Sequence, residues 1–507
     1  MTRQAQQGIG TYARAAPLSA AREFASAHAL ALIVALAAVL RFATLGVPAY
    51  WQDEWVTVTE THGSFAAVLD SVHHAEGGPP LYLILLWVWR KVLGDNEIAL
   101  RSLSALLGTA TVPIAYAAAR ELASRRAGLF AAALAATSPL LIWYSQEVRT
   151  YSLLVFLSAL SFLFFIYALH RQESRWFWGW AISSGLALTT HYFALALIVP
   201  EGVWLLLRAP RVKALAACAG IGAVGLSLLP LIDQQQGKVA GVIRLLDRGD
   251  RLLAIPQHFV VGLSVPWKVV PPLVGLALIA AVAYALTRAD PPSRRAFAVA
   301  GGVAMAGILL SVVPAFLGAD YVITRYVLEL WLPFAVAVAI ALAVRSMGGL
   351  GTTAVVALCA IGVALSTWNA ATPAARRVNW DDVAQALGTP RQERVVVGPG
   401  LYVGVGLSLY LPDGHLANSQ ERIVSSDLAL LSMRPVPNYG IGPCFWGAVC
   451  GGKGLGGSGP PIKAPRQFKL VRQGSTPRVT YRIYRAPKPV RLPSPKPGQV
   501  VVVQEPD

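Results

Sequence analysis

The sequence predicts a polytopic all-α membrane domain followed by a small external α/β domain. Of the 507 residues, 55% are hydrophobic and only 14% are charged, and the mean hydropathy is +0.53. This composition excludes a soluble globular protein with an ordinary surface. Apolar runs long enough to cross about 30 Å of hydrocarbon recur as far as Trp368. Beyond that residue the chain becomes polar and rich in turn residues.

The membrane domain is predicted to contain about 11 transmembrane helices of roughly 20 residues each. The apolar stretches run approximately over His28–Leu45, Ile98–Ala119, Ala127–Trp143, Tyr151–Leu169, Phe177–Thr190, Phe193–Leu207, Ala214–Ile232, Val269–Leu286, Phe297–Leu317, Tyr326–Val344 and Leu350–Trp368. We therefore expect a transmembrane domain over residues 28–368, preceded by a cytoplasmic segment over residues 1–27.

One further apolar stretch, Pro80 to Leu93, is too short to cross the membrane. About 14 residues at 1.5 Å per residue reach roughly 21 Å. When this stretch is placed on the outer surface as an interfacial helix, the Arg and Lys residues of the other loops collect on one side, as is typical of cytoplasmic faces. This topology predicts a cytoplasmic amino terminus, and it puts the first loop, residues 48–97, outside a plasma membrane.

Residues 369–507 are expected to form a compact external α/β domain. Asn379–Leu387 has a helical pattern, Arg394–Val397 is typical of a buried strand, and Phe468–Tyr484 predicts two strands joined around Gly474. A glycine-rich stretch, residues 440–459, predicts an irregular loop.

Two cysteines, Cys444 and Cys450, lie within that glycine-rich loop. In an oxidising external compartment a disulfide between them would pin the loop, and we predict that bond.

The formal net charge of +17 includes a basic external domain. Such a surface suits anionic membrane lipids or cell-wall polymers, and a well-solvated surface explains it equally. Nucleic acid is not expected as a partner, because the sequence contains no recognised binding motif and the predicted compartment is external.

Adjacent carboxylates, Asp53 and Glu54, follow the first apolar stretch. A carboxylate just outside a transmembrane helix is well placed for general-base chemistry on a lipid-linked substrate, and an interfacial anchor is the alternative. Further polar and aromatic residues are predicted at the same outer face: His74, Glu76, Arg101, Tyr144, Glu147, Arg149, His191, Tyr192, Asp320, Arg325 and Tyr326. Because guanidinium groups match phosphate oxygens, this pattern favours a reaction in which a carboxylate removes a proton and arginines hold a phosphate.

Three segments in this order resemble bacterial glycosyltransferase family 39. They are GGPPLYLILLWVWRKVLGDNEIALRSLSALLGTATVPIAY at 77–116, SPLLIWYSQEVRTY at 138–151 and TRYVLELWLPF at 324–334, and all three follow the DE-W of Asp53. Members of this family are membrane enzymes of the GT-C type, related to protein O-mannosyltransferases and lipid A aminoarabinose transferases. The resemblance covers Ala31 to about Val344, and NWDDVAQAL at 379–387 is similar to the start of that family's carboxy-terminal region.

The resemblance implies that a sugar moves from a polyprenyl-phosphate carrier to an acceptor hydroxyl at the external face, with inversion at the anomeric carbon. The family's first-loop aspartate corresponds to Asp53, which would be the general base. Arg149 and Arg325 would hold the leaving phosphate, with Arg101 or Lys91 in reserve. Glu54 would contact a sugar hydroxyl or orient an arginine, and Glu147 would hold Arg149. Tyr144, His191, Tyr192 and Tyr326 are expected to contact substrate.

The first loop departs from some relatives, which have Lys or Glu before the proline that opens the interfacial helix. Here Gly77 and Gly78 precede Pro79. His73, His74 and Glu76 are therefore candidates for a phosphate contact or for a divalent metal site. No other metal-ligand spacing is present, so we expect a mechanism without a metal or other cofactor.

Two other classes of function remain open at this point. A transporter or flippase would also have many spans, but it would be expected to carry repeats and charges near mid-membrane. A noncatalytic envelope-binding protein is the third possibility. Within the transferase interpretation, the sugar is open, and the acceptor is a glycolipid, a polysaccharide or a protein.

Overall fold

The computed structural model describes most of the membrane domain and the sheet of the external domain. The described residues are 28–48, 50–74, 78–235, 247–373, 378–399, 407–408, 410–411, 414–417, 423–433, 463–477, 479–492 and 499–506. The disulfide predicted between Cys444 and Cys450 and the contact predicted for Glu76 lie outside these residues.

The membrane domain is built from α-helices whose apolar faces form one large buried cluster. The helices are α1 His28–Phe42, α2 Gln52–Glu60, α3 Phe65–His74, α4 Leu81–Leu93, α5 Glu97–Leu122, α6 Arg125–Thr137, α7 Pro139–Ser145, α8 Tyr151–Arg171, α9 Ser174–Leu188, α10 Leu195–Arg208, α11 Arg211–Ser227, α12 Leu229–Gln235, α13 Arg248–Val261, α14 Val270–Thr287, α15 Pro291–Phe316, α16 Trp331–Ala343 and α17 Gly348–Ala371. Helix α5 packs against α6 and α8, and α15 packs against α16.

Five of the described helices are long and apolar enough to cross a membrane. They are α5, α8, α14, α15 and the segment Arg345–Ala371 that contains α17. Two bent pairs, α6 with α7 and α11 with α12, raise the number to 7 if each pair is one span. The other predicted spans form the shorter helices α1, α9, α10 and α16. A largely helical membrane domain is thus confirmed, while the count of about 11 spans stays a prediction.

The predicted span Ala127–Trp143 is bent by 54° between α6 and α7. Ser138 caps the second helix by accepting a hydrogen bond from the Leu141 N–H, and Pro139 occupies its first position, where a missing N–H costs nothing. The last carbonyls of α6, which have no partner within the helix, accept hydrogen bonds from a buried arginine. Arg41 of α1 donates to the oxygens of Ala135 and Ala136 at 2.9 and 3.0 Å.

The predicted interfacial helix exists as α4, and two short helices, α2 and α3, precede it in the first loop. Helix α4 buries Tyr82, Leu83 and Leu86 on one face. It ends at Gly94, whose φ of +91° is unfavourable for residues with a Cβ. The position of α4 at the membrane surface stays a prediction.

The carboxy-terminal domain, predicted to be external, is a six-stranded mixed sheet in the order β2-β6-β1-β3-β5-β4, packed on one helix. Its elements are α18 Trp380–Leu387, β1 Arg394–Pro399, β2 His415–Leu416, β3 Val424–Met433, β4 Lys469–Ser475, β5 Val479–Arg491 and β6 Gln499–Gln504. Strands β1 and β3 are parallel and the other pairs are antiparallel. The predicted helix, the buried strand and the two joined strands are all confirmed.

One side chain of the external domain reaches the first loop. The Tyr410 hydroxyl accepts a hydrogen bond from the Tyr50 N–H at 2.7 Å and donates one to Glu97 at 3.1 Å.

Candidate active site

Helix α2 presents Asp53 and Glu54 in its first turn. Trp51 precedes the helix in extended conformation, and its N–H donates to the Glu54 carboxylate at 3.3 Å. Carboxylates are favoured at this end because the helix dipole is positive there. The two side chains lie about 100° apart around the helix axis, so the adjacent acids face different surroundings.

Glu54 forms a buried ion pair with Arg101 of α5. The guanidinium donates Nε and Nη2 to the two carboxylate oxygens at 2.8 and 2.9 Å, and Nη1 donates to the carbonyls of Leu45 and Pro48. The same carboxylate accepts the Val148 N–H at 2.9 Å. Arg101 is 0% exposed and holds Glu54 in place; its reserve contact with a phosphate stays a prediction. Glu54 is placed to orient an arginine, one of its two predicted roles.

Asp53 lies between the two arginines that the sequence predicts as phosphate ligands. Its Oδ2 accepts a hydrogen bond from Arg325 Nη1 at 2.9 Å and lies 4.0 Å from Arg149 Nη2. Arg149 Nη1 donates to the Asp53 carbonyl at 3.0 Å and to the Thr57 hydroxyl at 2.7 Å. The fold therefore joins three predicted site residues from three distant parts of the chain. Thr57 was missed, although it follows Asp53 by one helical turn.

The charges in this cluster do not balance. Burial disfavours the charged form of Arg149, yet the Asp53 carboxylate and Tyr151 raise its pKa above the ordinary value. Burial likewise opposes the charge of Arg325, and Tyr151, Tyr326 and Asp53 raise its pKa. Two permanent cations thus share one carboxylate, which leaves an excess positive charge suited to a phosphate.

Aromatic rings form one wall of the cluster. The Arg325 guanidinium lies 5.2 Å from the Tyr326 ring centroid and 5.9 Å from that of Tyr151, distances at which cation–π attraction operates. The Tyr144 and Tyr151 rings are 4.9 Å apart, and the His191 ring is 5.2 Å from Tyr326. Burial, then Arg325 and Arg149, lower the pKa of His191 to about 3, so its imidazole is neutral at physiological pH.

Tyr192 and Lys91 make the contacts given for them away from Asp53. The Tyr192 hydroxyl donates to Gln235 at 2.8 Å, and the Lys91 ammonium lies 5.6 Å from the Trp87 ring. His74 is the last residue of α3. Glu147 was predicted to hold Arg149. It is 4% exposed and lines a neighbouring recess, while the hydrogen bonds described above for Arg149 go to Asp53 and Thr57.

The segment that carries Arg325 is fixed by a second ion-pair cluster. Asp320 accepts hydrogen bonds from Arg251 at 2.7 and 2.9 Å and from Arg248 at 3.0 Å. The hydrogen bond from Arg251 is the main cause that lowers the pKa of Asp320 to about 2. Four residues later, Thr324 is 2.7 Å from His258 Nδ1. Arg251 and His258 belong to α13, a helix that was not predicted from the sequence.

An apolar recess of about 420 Å³ lies beside α13 and α16. Its lining includes Leu134, Phe259, Leu278, Phe334 and Leu358. Since its walls carry few polar groups, it suits a hydrocarbon chain.

Within the described ranges, no group of three or more His, Cys, Asp and Glu side chains is placed to hold a metal ion. The metal-free mechanism stays a prediction, because the first-loop residues 75–77 are outside those ranges.

Comparisons with known proteins give the geometry a context. A family profile described as dolichyl-phosphate-mannose-protein mannosyltransferase matches residues 77–232. The structure is similar to that of ArnT from Cupriavidus metallidurans in the apo state, with a TM-score of 0.50 and 14% identity, covering 76% of this chain and 85% of that one. No curated protein matches the sequence.

Two further solved structures are more distant. ArnT from Cupriavidus metallidurans bound to undecaprenyl phosphate has a TM-score of 0.49 and 14% identity, covering 75% of this chain and 84% of that one. The archaeal oligosaccharyltransferase AglB from Archaeoglobus fulgidus, in complex with an inhibitory peptide and a dolichol-phosphate, has a TM-score of 0.43 and 13% identity, covering 73% and 59%. The predicted resemblance to GT-C glycosyltransferases of the protein-mannosyltransferase type is confirmed, and the chain is an integral membrane protein with that fold.

Proposed function

We propose that this chain is an inverting glycosyltransferase that moves a sugar from a polyprenyl-phosphate-linked donor to an acceptor hydroxyl at the external face of the plasma membrane. The observation that carries the proposal is the placement of Asp53 between Arg325 and Arg149, at 2.9 and 4.0 Å. A base beside two fixed cations matches a reaction that removes a proton and releases a phosphate.

The reaction balances with these groups. Asp53 takes the proton of the acceptor hydroxyl as that oxygen bonds to the anomeric carbon. The bond between the anomeric carbon and the phosphate oxygen breaks, and its electron pair stays on the lipid phosphate. Arg149 and Arg325 neutralise the charge that develops there. Attack opposite the leaving group inverts the anomeric configuration.

Because Arg325 contacts Asp53, binding of the donor is a step in making Asp53 available as a base. The Arg325 guanidinium donates a hydrogen bond at 2.9 Å to Asp53 Oδ2, an oxygen that the acceptor hydroxyl would also approach. When a donor phosphate binds, it competes for the Arg325 guanidinium and Asp53 is released to accept a proton. Donor binding therefore precedes productive acceptor binding.

The apolar recess lined by Phe259 and Phe334, among others, supports the proposal that the donor carries a lipid chain. Phe259 follows His258, which contacts the Thr324 beside Arg325. A polyprenyl chain in this recess would thus end near the arginines. The proposed orientation has a cytoplasmic amino terminus and an external carboxy-terminal domain, and the two arginines take the role that a metal ion has in other phosphate-releasing enzymes.

Transfer assays with the full-length protein in nanodiscs test the proposal. Radiolabelled polyprenyl-phosphate sugars are offered singly together with membrane extract, and wild type is compared with Asp53→Asn. We expect label in a new product with wild type and a loss of at least about 100-fold in the variant. Asp70→Asn is the matched control, because Asp70 is an exposed acid of the same loop, and it should keep wild-type activity.

Equal turnover by wild type and Asp53→Asn would remove Asp53 as the base. If no donor is turned over, but the protein moves a lipid-linked sugar across vesicles or binds envelope polymers irrespective of Asp53, the transporter or binding interpretation replaces the transferase.

A further inference from the structure

A second recess, of about 660 Å³, lies next to the Asp53 cluster at the outer ends of α1, α7 and α17. Its lining includes Trp51, Trp143, Gln146, Glu147, Ser366 and Asn369. Nothing in the reaction described above uses this recess.

The chemistry of its walls selects a class of ligand. The lining contains two tryptophans, the Glu147 carboxylate and the Gln146 and Asn369 amides. The Gln146 amide nitrogen already donates to the Leu40 and Arg41 carbonyls and to the Thr44 hydroxyl, so only its amide oxygen could serve a ligand. The Ser366 hydroxyl oxygen is buried and has no hydrogen-bond partner among the residues that the structure describes. A sugar ring matches this combination, because it has an apolar C–H face and hydroxyls around its edge.

Other ligand classes fit less well. A phosphate would meet the carboxylates of Glu147 and Glu54, which line the recess, and the nearby Arg101 is fully buried and bound to Glu54. A hydrocarbon chain would bury the polar groups without hydrogen bonds, which is costly. The walls therefore disfavour an anionic or a purely apolar ligand and suit one with many hydroxyls.

The recess adjoins the reaction centre. Glu54 lines the recess and directly follows Asp53 in α2. The Val148 N–H donates to Glu54. In the sequence, Val148 stands between Glu147, which lines the recess, and Arg149, which belongs to the phosphate cluster. The recess and the Asp53 cluster thus share the first turn of α2 and the segment 147–149. Neither Asp53 nor the two arginines are among its lining residues.

We infer that this recess binds a sugar ring of the acceptor, which makes the acceptor a glycan or glycolipid rather than a protein side chain. The inference rests on the proposed function and names its acceptor class.

Kinetics with octyl glycosides of mannose, glucose, galactose and arabinose test the inference. Trp143→Leu removes a ring face but keeps an apolar side chain, and it should raise the KM of the glycoside acceptor about tenfold or more. The donor KM and the slow hydrolysis of donor by water should stay within about twofold of wild type. Trp143→Phe, which restores a ring, should recover most of the acceptor affinity. Trp178→Leu, at a 52% exposed tryptophan of α9, is the control and should change neither KM.

An unchanged acceptor KM in Trp143→Leu would overturn the inference and leave the transferase proposal intact. A raised donor KM with slower hydrolysis would place the donor sugar in the recess and would also overturn it. Equilibrium binding of tritiated octyl glycosides to Asp53→Asn protein, with and without Trp143→Leu, needs no turnover. Equal binding by the two variants would reject the recess as a sugar site even if no transfer is found.

Discussion

Replacing Glu54 with glutamine tests whether the buried pair of Glu54 and Arg101 organises the site. Glu54 is 2% exposed and Arg101 is 0% exposed, and the carboxylate accepts two guanidinium bonds and the Val148 N–H. Glutamine keeps the shape but has no charge, so the guanidinium stays buried without a counter-ion. Removing one partner of such a pair costs about 3–5 kcal/mol, and we expect the free energy of unfolding to fall by that amount.

A double-mutant cycle separates the pair from its surroundings. Arg101→Gln should destabilise the protein to a similar extent, because it leaves the Glu54 carboxylate buried and unpaired. The double variant Glu54→Gln/Arg101→Gln places two neutral amides together. Its loss should be clearly smaller than the sum of the two single losses. Unfolding in mixed micelles by titration with SDS, followed by circular dichroism, measures the three differences.

The exposed pair of Glu121 and Arg171 provides the matched control. Its Nη2–Oε2 distance is 2.9 Å, as in the buried pair, but the side chains are 24% and 40% exposed. Solvent screens such a pair, so Glu121→Gln should cost no more than about 1 kcal/mol. The reasoning is refuted if Glu54→Gln is as mild as Glu121→Gln, or if the two single losses simply add.

Four further outcomes are expected. Arg325→Lys should lower kcat at least about 100-fold while Arg171→Lys leaves it unchanged, because an ammonium cannot present the planar fork of donors to a phosphate; equal kcat values in a transfer assay would exclude Arg325 as a phosphate ligand. The pKa of Asp320 is lowered to about 2, so its ion pairs should stabilise the protein fully above pH 4–5, and this stabilisation should be lost as the pH falls toward 2. Asp320→Asn should be destabilising near neutral pH, but its stability should fall less steeply with pH in acid unfolding. Parallel stability–pH curves for wild type and the variant would contradict this. Since the pKa of His191 is about 3, His191→Gln should leave the shape of the pH–rate profile between pH 5 and 8 unchanged, and the loss of an ionisation from that profile would show that His191 titrates there. Transfer should persist in excess EDTA, and a loss that Mg²⁺ or Mn²⁺ restores would establish metal dependence.

The sequence predicted some of the residues that gather around Asp53, but it did not predict how they pair. Arg149 and Arg325 stand out because a charge at the end of an apolar stretch is costly unless it has a partner. The partners lie far away in the chain: Asp53 and Arg325 are 272 positions apart. Such pairing depends on helix packing, which periodicity does not encode.

Residues outside strong apolar patterns were missed for the same reason. Helix α13 is amphipathic and was not a predicted span, so Arg251 and His258 received no role although they hold the Arg325 segment. The bend at Ser138 was also missed. A serine followed by proline is a start signal for a helix, but the continuous apolar run around it predicted a single span.

The contact of Tyr410 with Glu97 bears on how separable the two domains are. Glu97 lies one helical turn before Arg101, at 3.5 Å from its guanidinium, and Arg101 holds Glu54, which in turn holds the backbone next to Arg149. A continuous series of polar contacts therefore runs from the carboxy-terminal sheet domain to the candidate site. That domain thus stabilises the arrangement of the site, and a shortened chain that ends after Trp368 would lose part of this order.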